Sequence, residues 1–413
     1  MQEQSQKILR TKNDELYIIF FDRNTGSIVL RKYEGVRWSR PQIVVCDAEP
    51  DFSVSTSSGG DIMIINRDKY GNIILNISSD GKKWENKILF KGRNSNGRCF
   101  EKYHVYSTKD SVNIISTEYM PDEKKSKIIF NSFKEGKWND PYEIDNFVPF
   151  SKSPLVITPI NPNHVIMYYM IKEGNVISRE VMLEPFEIGN TITVLSTTQL
   201  LIDISVLMTE KKVHILYTTK GINGSQVVYR NREEQKMEMP KVIWEGQWCD
   251  GVISFYVDEV LWMMWRTQNG LLYSYSEDEG ISFKRPKKYR GEFCRRPIKA
   301  EYVSNFSDKL KCTELYLDSE DSYEILLVPD IYEEFYKKYT PNKVGKVSTE
   351  DEIKILKSKL ESYESRIKQV DFQPTTPNGK MDEIQLQNIL WNKKLEEIAN
   401  QKEKFMNNKN EFK

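Results

Sequence analysis

The chain has 413 residues with 60 basic and 60 acidic side chains, so its formal net charge is zero. The length exceeds what one hydrophobic core organises and points to two or three domains, while the charge balance argues against a nucleic-acid or anionic-membrane partner, which needs a clustered basic field. Only 39% of residues are apolar, but 12% are aromatic and 8 are Trp, which sets the chain apart from a disordered one.

The first fifteen residues, MQEQSQKILRTKNDE, carry acids where a signal peptide has its apolar stretch. The longest apolar stretches, at residues 16–21 and 260–265, are strand-sized and fall short of the run of about 18 that a membrane helix requires. Five cysteines, Cys46, Cys99, Cys249, Cys294 and Cys312, are odd in number and scattered. They suit neither a zinc site nor a disulfide framework. The expectation is a reduced, cytoplasmic chain with no membrane insertion.

A repeat organises the first 340 residues. A polar turn with Gly, then an alternating apolar strand, recurs as TGSIVLR, YGNIILN, EGNVISR, NGSQVVY and NGLLYSY. Gly26, Gly71, Gly174, Gly224 and Gly270 are separated by 45, 103, 50 and 46 residues, and 103 is two periods of about fifty. A second marker follows each hairpin as YEGVRWSRPQIV, SSDGKKWENKIL, FKEGKWNDPYEI and SEDEGISFKRPKKY. In it an acid and a Gly precede an aromatic residue: Trp38, Trp84, Trp138 or Phe283. Its glycines, Gly35, Gly81, Gly136 and Gly280, are spaced 46, 55 and 144, the last being three periods of 48.

In chain order the units run over residues 7–46, 52–90, 99–145, 149–197, 200–246 and 249–291. In the second, four short strands read FSVSTSS, DIMIINRD, NIILNISS and WENKILF, each bounded by Gly, Asp or Asn turn residues. The middle pair forms a hairpin whose Gly supplies a positive φ. Helical repeats share this period but need a 3.6-residue pattern that these units lack. Unbroken strands at this period predict an all-β fold, a β-propeller of four-stranded blades. Residues 294–336 have the length of another blade without the second marker. Seven blades are expected, with the outer strand of the last borrowed from the other terminus. The alternative is six blades plus a capping hairpin.

Ser276, Asp278, Gly280 and Phe283 in SEDEGISF match the Asp-box pattern Ser-x-Asp-x-Gly-x-x-aromatic, and this part of the chain resembles the sialidase-like, Asp-box (BNR) repeat propellers. Asp80 and Trp84 in SSDGKKW carry the pattern with one residue deleted, and the segments ending at Trp38 and Trp138 carry looser versions. The resemblance implies structural boxes away from any active site, the acid binding backbone N–H groups and the aromatic packing between sheets. It would also imply three arginines clamping a carboxylate, a Tyr–Glu nucleophile pair and an acid/base Asp. The Arg-Ile-Pro signature of that family is absent. The segment LYIIFFDRNTGSIVLRKYEGVRWSRPQI is similar to the repeats of fucose-lectin-like propellers, which hold sugars between blades with an Arg, an acid and a stacking aromatic.

Arg23, Arg67, Arg230 and Arg266 lie in or beside strands and are the candidates for a convergent clamp. On VLWMMWRTQNG, Trp262 and Arg266 share one strand face and Trp265 points to the other. Stacking of a sugar on Trp262 or Trp265, with Arg266 at the strand end, competes with both rings filling the space between blades. The candidate ligand-binding set is therefore Trp265, Arg266, Arg230 and Arg67. His104, His164 and His214 fall in three different units without metal-ligand spacing, no GxSxG, P-loop, HExxH or dinucleotide fingerprint is present, and neither a metal nor a cofactor is expected.

Beyond a linker at 341–348 the pattern becomes helical. Thr349 and Glu352 form a capping box, and Ile353, Leu356, Leu360, Tyr363, Ile367 and Val370 follow at spacings of 3, 4, 3, 4 and 3, a coiled-coil seam. Two prolines and a Gly in DFQPTTPNGK break it, and a second helix from Met381 carries Ile384, Trp391, Leu395 and Ile398. The 12 basic and 12 acidic residues of 347–413 interleave, unlike a nucleic-acid arm. Residues 349–413 are expected to be a helical coiled-coil hairpin that joins copies of this chain, docks on a protein partner or simply folds on itself. The whole reads as a non-enzymatic recognition or scaffolding propeller multimerised or docked through its tail, with a sialidase-like glycoside hydrolase and a sugar-binding lectin as alternatives.

Overall fold

A computed structural model describes residues 6–35, 37–91, 99–149, 155–171, 175–210, 212–233, 236–289, 297–304, 310–318 and 325–326. The linker, the coiled-coil seam from Ile353 to Val370, and Gly174 lie outside the described residues. Every regular element among those described is a β-strand.

The strands assemble into successive antiparallel sheets in chain order. Sheet I holds Gln6–Arg10, Leu16–Asp22, Ser27–Lys32 and Gln42–Val45, and sheet II holds Ala48–Thr56, Ile62–Asp68, Ile73–Ser78 and Glu85–Phe90. Sheet III is built on Cys99–Ser107, Ser111–Met120, Lys125–Lys134 and Tyr142–Phe147, and sheet IV on Leu155–Asn161, His164–Ile171, Asn175–Leu183 and Ile192–Ser196. Leu200–Met208, Lys212–Gly221, Gly224–Glu233 and Lys241–Gly246 make sheet V, and Cys249–Val257, Val260–Thr267, Gly270–Ser276 and Lys287–Lys288 make sheet VI.

Composition sorts the strands by position. The second strands LYIIFFD, HVIMYYMI and VLWMMWRT are buried along almost their whole length. Such continuous apolar runs arise where a sheet is covered on both faces. The fourth strands are more open and carry charges: ENKILF is mostly exposed and KVIWEG mostly half-buried. In sheets I to V the pairing of third and fourth strands slips by one residue at the same place, between 28/29, 73/74, 128/129, 176/177 and 227/228. A bulge there increases local twist.

Six hydrophobic clusters join the sheets in sequence. Tyr17 and Ile19 of sheet I pack with Val54 and Ile64 of sheet II, Met63 and Ile65 with Val105 and Ile114, and Ile115 and Phe130 with Ile157 and Met167. The series continues with Ile166 and Tyr168 against Val206 and Ile215, then Leu216 and Tyr229 against Leu261 and Trp265. The last cluster brings Phe255 and Met264 of sheet VI onto Ile8 and Ile18 of sheet I. The sheets therefore close on themselves in a ring, each burying its faces against two neighbours.

Residues 298–326 do not add a separate sheet. Ile298–Ser304 runs parallel to Gln6–Arg10, pairing Lys7 with Glu301 and Ile8 with Tyr302, and Glu314–Leu317 and Ile325–Leu326 extend that sheet. Lys311–Cys312 pairs with the first strand of sheet VI. Ile298–Ser304 thus joins sheet I at its first strand, not at an outer edge as expected. Sheet I already supplies four strands of its own, so its free edge is the one at Gln6–Arg10. Leu315, Tyr316 and Leu317 are fully buried in the cluster that joins sheets VI and I.

Candidate functional site

The marker turns are joints between sheets. Trp38 packs on the cluster shared by sheets VI and I, Trp84 on that of I and II, Trp138 on that of II and III, and Phe283 on that of V and VI. Each aromatic therefore reaches back onto the preceding sheet. Sheets IV and V carry the same device in residues that the sequence pattern passed over, Phe186 and Met237. Phe186 follows a Pro and Met237 a Lys, so neither shows the acid–Gly–aromatic order.

Local hydrogen bonds hold these turns. Ser276 Oγ donates to Asp278 Oδ1 at 2.7 Å, while Asp278 accepts from the Ser282 N–H at 2.8 Å and the Ser282 hydroxyl at 2.6 Å. These donors hold the Asp278 carboxyl down to about 2. Asp80 repeats the arrangement, accepting from the Lys82 and Lys83 N–H groups at 2.8 and 2.9 Å. Gly81 and Gly280 have φ of +70° and +86°, and a Cβ on either would meet a tyrosine of the preceding sheet, Tyr17 or Tyr229.

One third-strand position can be compared across these joints. The third-strand residue beyond the bulge is Leu30 in sheet I, Leu75 in II, Phe130 in III, Ser178 in IV and Tyr229 in V. Phe130 stacks on Phe186 with centroids 4.1 Å apart. Tyr229 meets Phe283 edge-on at 4.7 Å and lies against Gly280. Ser178 accepts from Arg232 at 3.5 Å. Beside Leu75, Lys87 from the fourth strand sits 3.8 Å over the Phe133 ring. Leu30 is smaller than the aromatic residues, and between sheets I and II it leaves a cavity of about 560 Å³.

The floor of this cavity is Tyr17 and Leu30, both buried, and Trp38 stands half-buried at its side. Tyr17 donates to Glu15 at 2.8 Å, and burial, then this bond, pushes its hydroxyl pKa up. Sheet I contributes Arg31, Lys32, Glu34, Arg37 and Arg40, and the turn of sheet II contributes Asp80 and Lys82. Gln42 crosses the gap to donate to the Lys82 carbonyl at 3.2 Å. Between sheets V and VI the aligned Lys241 crosses in the same way, to the carbonyls of Gly280 at 2.7 Å and Ile281 at 2.6 Å. The arrangement sets an aromatic face, guanidinium groups and carboxylates around a solvent-open hollow between two sheets.

The residues singled out from sequence do not share one place. Trp265 is fully buried between sheets V and VI, with its ring near Trp244 at 6.4 Å, and offers no face to solvent. Trp262 is buried in the cluster of sheets VI and I. Arg266 donates to Asp250 and to the Pro297 carbonyl, each at 2.7 Å. Arg67 pairs with Glu49 in sheet II, and Arg230 donates to the carbonyls of Glu238 and Val194 at 2.7 and 3.3 Å. The three arginines are thus spread over sheets II, V and VI and engaged separately. His104, His164 and His214 sit in sheets III, IV and V.

A second cluster lines the inner strands. Lys7 pairs with Glu301, and Lys299 reaches Glu314 at 3.0 Å and Asp203 at 3.2 Å. Burial would raise the Glu301 carboxyl, but Lys7, His104 and Lys102 overcome it and hold the group at about 2. Burial lowers Lys102 and takes His104 down to about 4. Tyr106 is pushed well up by the same desolvation. Each of these three ion pairs uses a residue of strands 298–304 or 314–317.

No protein-family model and no curated protein matches the chain. Solved structures do. The BP39L lectin from Burkholderia pseudomallei aligns with a TM-score of 0.55 at 12% identity, over 77% of this chain and 94% of its own. A polysaccharide lyase, an ulvan lyase, aligns with a TM-score of 0.53 at 9% identity, over 83% and 100%. The Aleuria aurantia lectin, a six-bladed β-propeller with a novel fucose recognition mode, aligns with a TM-score of 0.40 at 14% identity, over 70% and 97%. The ring of sheets, each packed on two neighbours, makes the fold a β-propeller. At these identities the likeness speaks for the architecture alone. It is shared with lectin propellers, whereas no family model stands behind the Asp-box, sialidase-like resemblance. No helix among the described residues is long and apolar enough to cross a membrane.

Proposed function

We propose that the protein is a carbohydrate-binding β-propeller whose sugar site is the hollow between sheets I and II. On this reading the ring has six blades, residues 298–326 fill its axis, and 349–413 are a coiled-coil module that multimerises it. One observation carries the proposal: beside Leu30, Trp38, arginines and Glu34 frame a cavity of about 560 Å³, within the usual range for a small-ligand pocket. An aromatic face receives the apolar side of a pyranose, and charged planar groups bind its hydroxyls with charge-assisted geometry. That the solved neighbours include lectins and a polysaccharide lyase agrees with this reading. Single sites of this kind are weak, and multimerisation through the tail would raise their avidity by orders of magnitude.

The test is a glycan array probed with the full-length chain, beside the variant Leu30→Tyr, which places the sheet V side chain in the hollow. Binding that disappears in a variant with a native melting curve supports the site. Binding unchanged by Leu30→Tyr moves the site elsewhere, and a blank array ends the sugar reading. A hydrolytic activity would need its arginines to converge, and turnover of a fluorogenic sialoside checks for it directly.

A further inference from the structure

Resting on the sugar reading of the hollow between sheets I and II, we infer that its ligand is an acidic saccharide, one bearing sulfate esters or uronate carboxylates. The cavity is bounded by five basic residues, Arg31, Lys32, Arg37, Arg40 and Lys82, and by two acidic ones, Glu34 and Asp80. The whole chain has no net charge; with Lys32 paired to Glu15, the four remaining basic residues against two acids leave a local excess of two positive charges, not a share of a general basic surface.

The acids do little to cancel it. Asp80 turns inward on its own loop, accepting the Lys82 and Lys83 N–H groups, which hold its carboxyl below the usual range. It serves the turn more than the opening. Glu34 faces Arg37 at 3.9 Å, a loose pair with 52% and 81% of the side chains exposed; such exposed pairs contribute little. Lys32 is drawn back to Glu15, outside the hollow. Arg31 spends its Nε on the Ser39 carbonyl at 2.8 Å, which fixes the plane of its guanidinium at the cavity wall. Arg40 and Lys82 are exposed and stand on opposite sides, one from each sheet.

The geometry is that of a cleft of one sign walled by low-dielectric side chains, which concentrates its field on the opening. A neutral sugar needs acceptors as well as donors for its hydroxyls. Here the side chains at the rim are mainly cationic donors, suited to sulfate or carboxylate oxygens. At the corresponding joint of sheets V and VI, Lys241 is consumed by two carbonyls and Tyr229 fills the space. The cationic rim and the hollow coincide at the first joint.

The experiment uses the full-length chain, with calorimetric titration of a heparin tetrasaccharide, an oligogalacturonate tetramer and neutral methyl fucoside, each at 50 and 300 mM NaCl. The expected result is at least tenfold tighter binding of one or both acidic probes, weakening with salt, and a loss of tenfold or more in Arg40→Gln/Lys82→Gln. The two acidic probes separate sulfate from carboxylate recognition. Equal or tighter binding of the neutral sugar overturns the acidic assignment while the sugar reading stands. Acidic binding that survives in the double variant is general electrostatic attraction and also overturns it. Failure of every probe, together with a blank glycan array, defeats both. Both substituted side chains are exposed, so a native melting curve is expected to accompany each result.

Discussion

Replacing Gly280 with Ala measures how tightly the turns are wedged against the sheet before them. At φ +86°, the new Cβ would lie 2.0 Å from the Tyr229 hydroxyl and 2.5 Å from its Cζ. The left-handed backbone alone costs about 1–2 kcal/mol. The clash adds about 1–3 kcal/mol of overpacking, because Tyr229 has nowhere to go. It is 1% exposed, held by the His214 ring at 2.8 Å and flanked by Phe283. Gly26→Ala is the control: its φ is +62° with nothing within 4 Å, so only the backbone share applies. Urea denaturation should show Gly280→Ala losing about 2–5 kcal/mol and Gly26→Ala about 1–2 kcal/mol. Adding Tyr229→Leu, the side chain type found at the aligned Leu30, should recover the steric part, with a coupling of at least about 1 kcal/mol in the double-mutant cycle. If the two glycine variants lose the same amount, or the cycle is additive, the wedge does not exist.

Stability should also fall on acidification between pH 6.5 and about 4. His104 and His214 are both lowered to about 4 by burial, so the unfolded chain takes up protons that the folded chain refuses in that window. The slope is at most about 1.4 kcal/mol per pH unit for each histidine. Melting of His214→Gln across pH 7 to 4.5 should show a shallower dependence, and an unchanged slope would refute the assignment. Glu301→Gln leaves Lys7 without its partner beside Lys102, at a cost of about 1–3 kcal/mol. That figure is discounted from the 3–5 of a fully buried pair because 30% of the Glu301 side chain is exposed. Lys7→Met/Glu301→Leu should regain most of it in chemical denaturation, and a double variant as weak as the single would show that the pair is incidental. Finally, sedimentation of the full chain beside one ending at Gly345 should show self-association lost with the tail; two chains of equal mass distribution would dismiss the stalk.

The ring was legible because it repeats. Two rulers, one of hairpin glycines and one of turn aromatics, needed only spacing to be read. The unmarked sheets could be placed by period even though Phe186 and Met237 carry the joint without the acid or Gly. The repeats read as alternating strands, whereas YIIFF and VLWMMW are buried along nearly their whole length. The fate of residues 298–326 was less visible. Length suggested a blade, but an edge for pairing is a property of the closed ring, and only the ring leaves the inner edge of Gln6–Arg10 free. The hollow lies largely in the segment similar to fucose-lectin repeats, but the candidate residues lie elsewhere. Trp265 and Arg266 drew attention as a compact motif and are engaged in packing and an Asp250 pair. Leu30, an unremarkable strand residue, matters only when aligned with Phe130 and Tyr229 across blades.

That alignment has a physical consequence for how such a ring acquires sites. Each sheet is stabilised by its two neighbours, so a loss at one joint is not transmitted around the ring as it would be through a single shared core. Emptying a joint removes one large side chain's contacts, on the order of a few kcal/mol, while five other clusters keep the ring closed. The turn beside it, braced by the Asp80 hydrogen bonds, keeps its shape without the missing ring. A hollow with fixed walls is therefore cheaper here than in a one-core domain, where neighbours would collapse into it. The same logic makes the copies unequal. Filling residues at 130, 178 and 229 stabilise their joints in three different ways, by stacking, by a hydrogen bond and by an edge-on contact. The joints filled in these ways serve to hold the hollow between sheets I and II open.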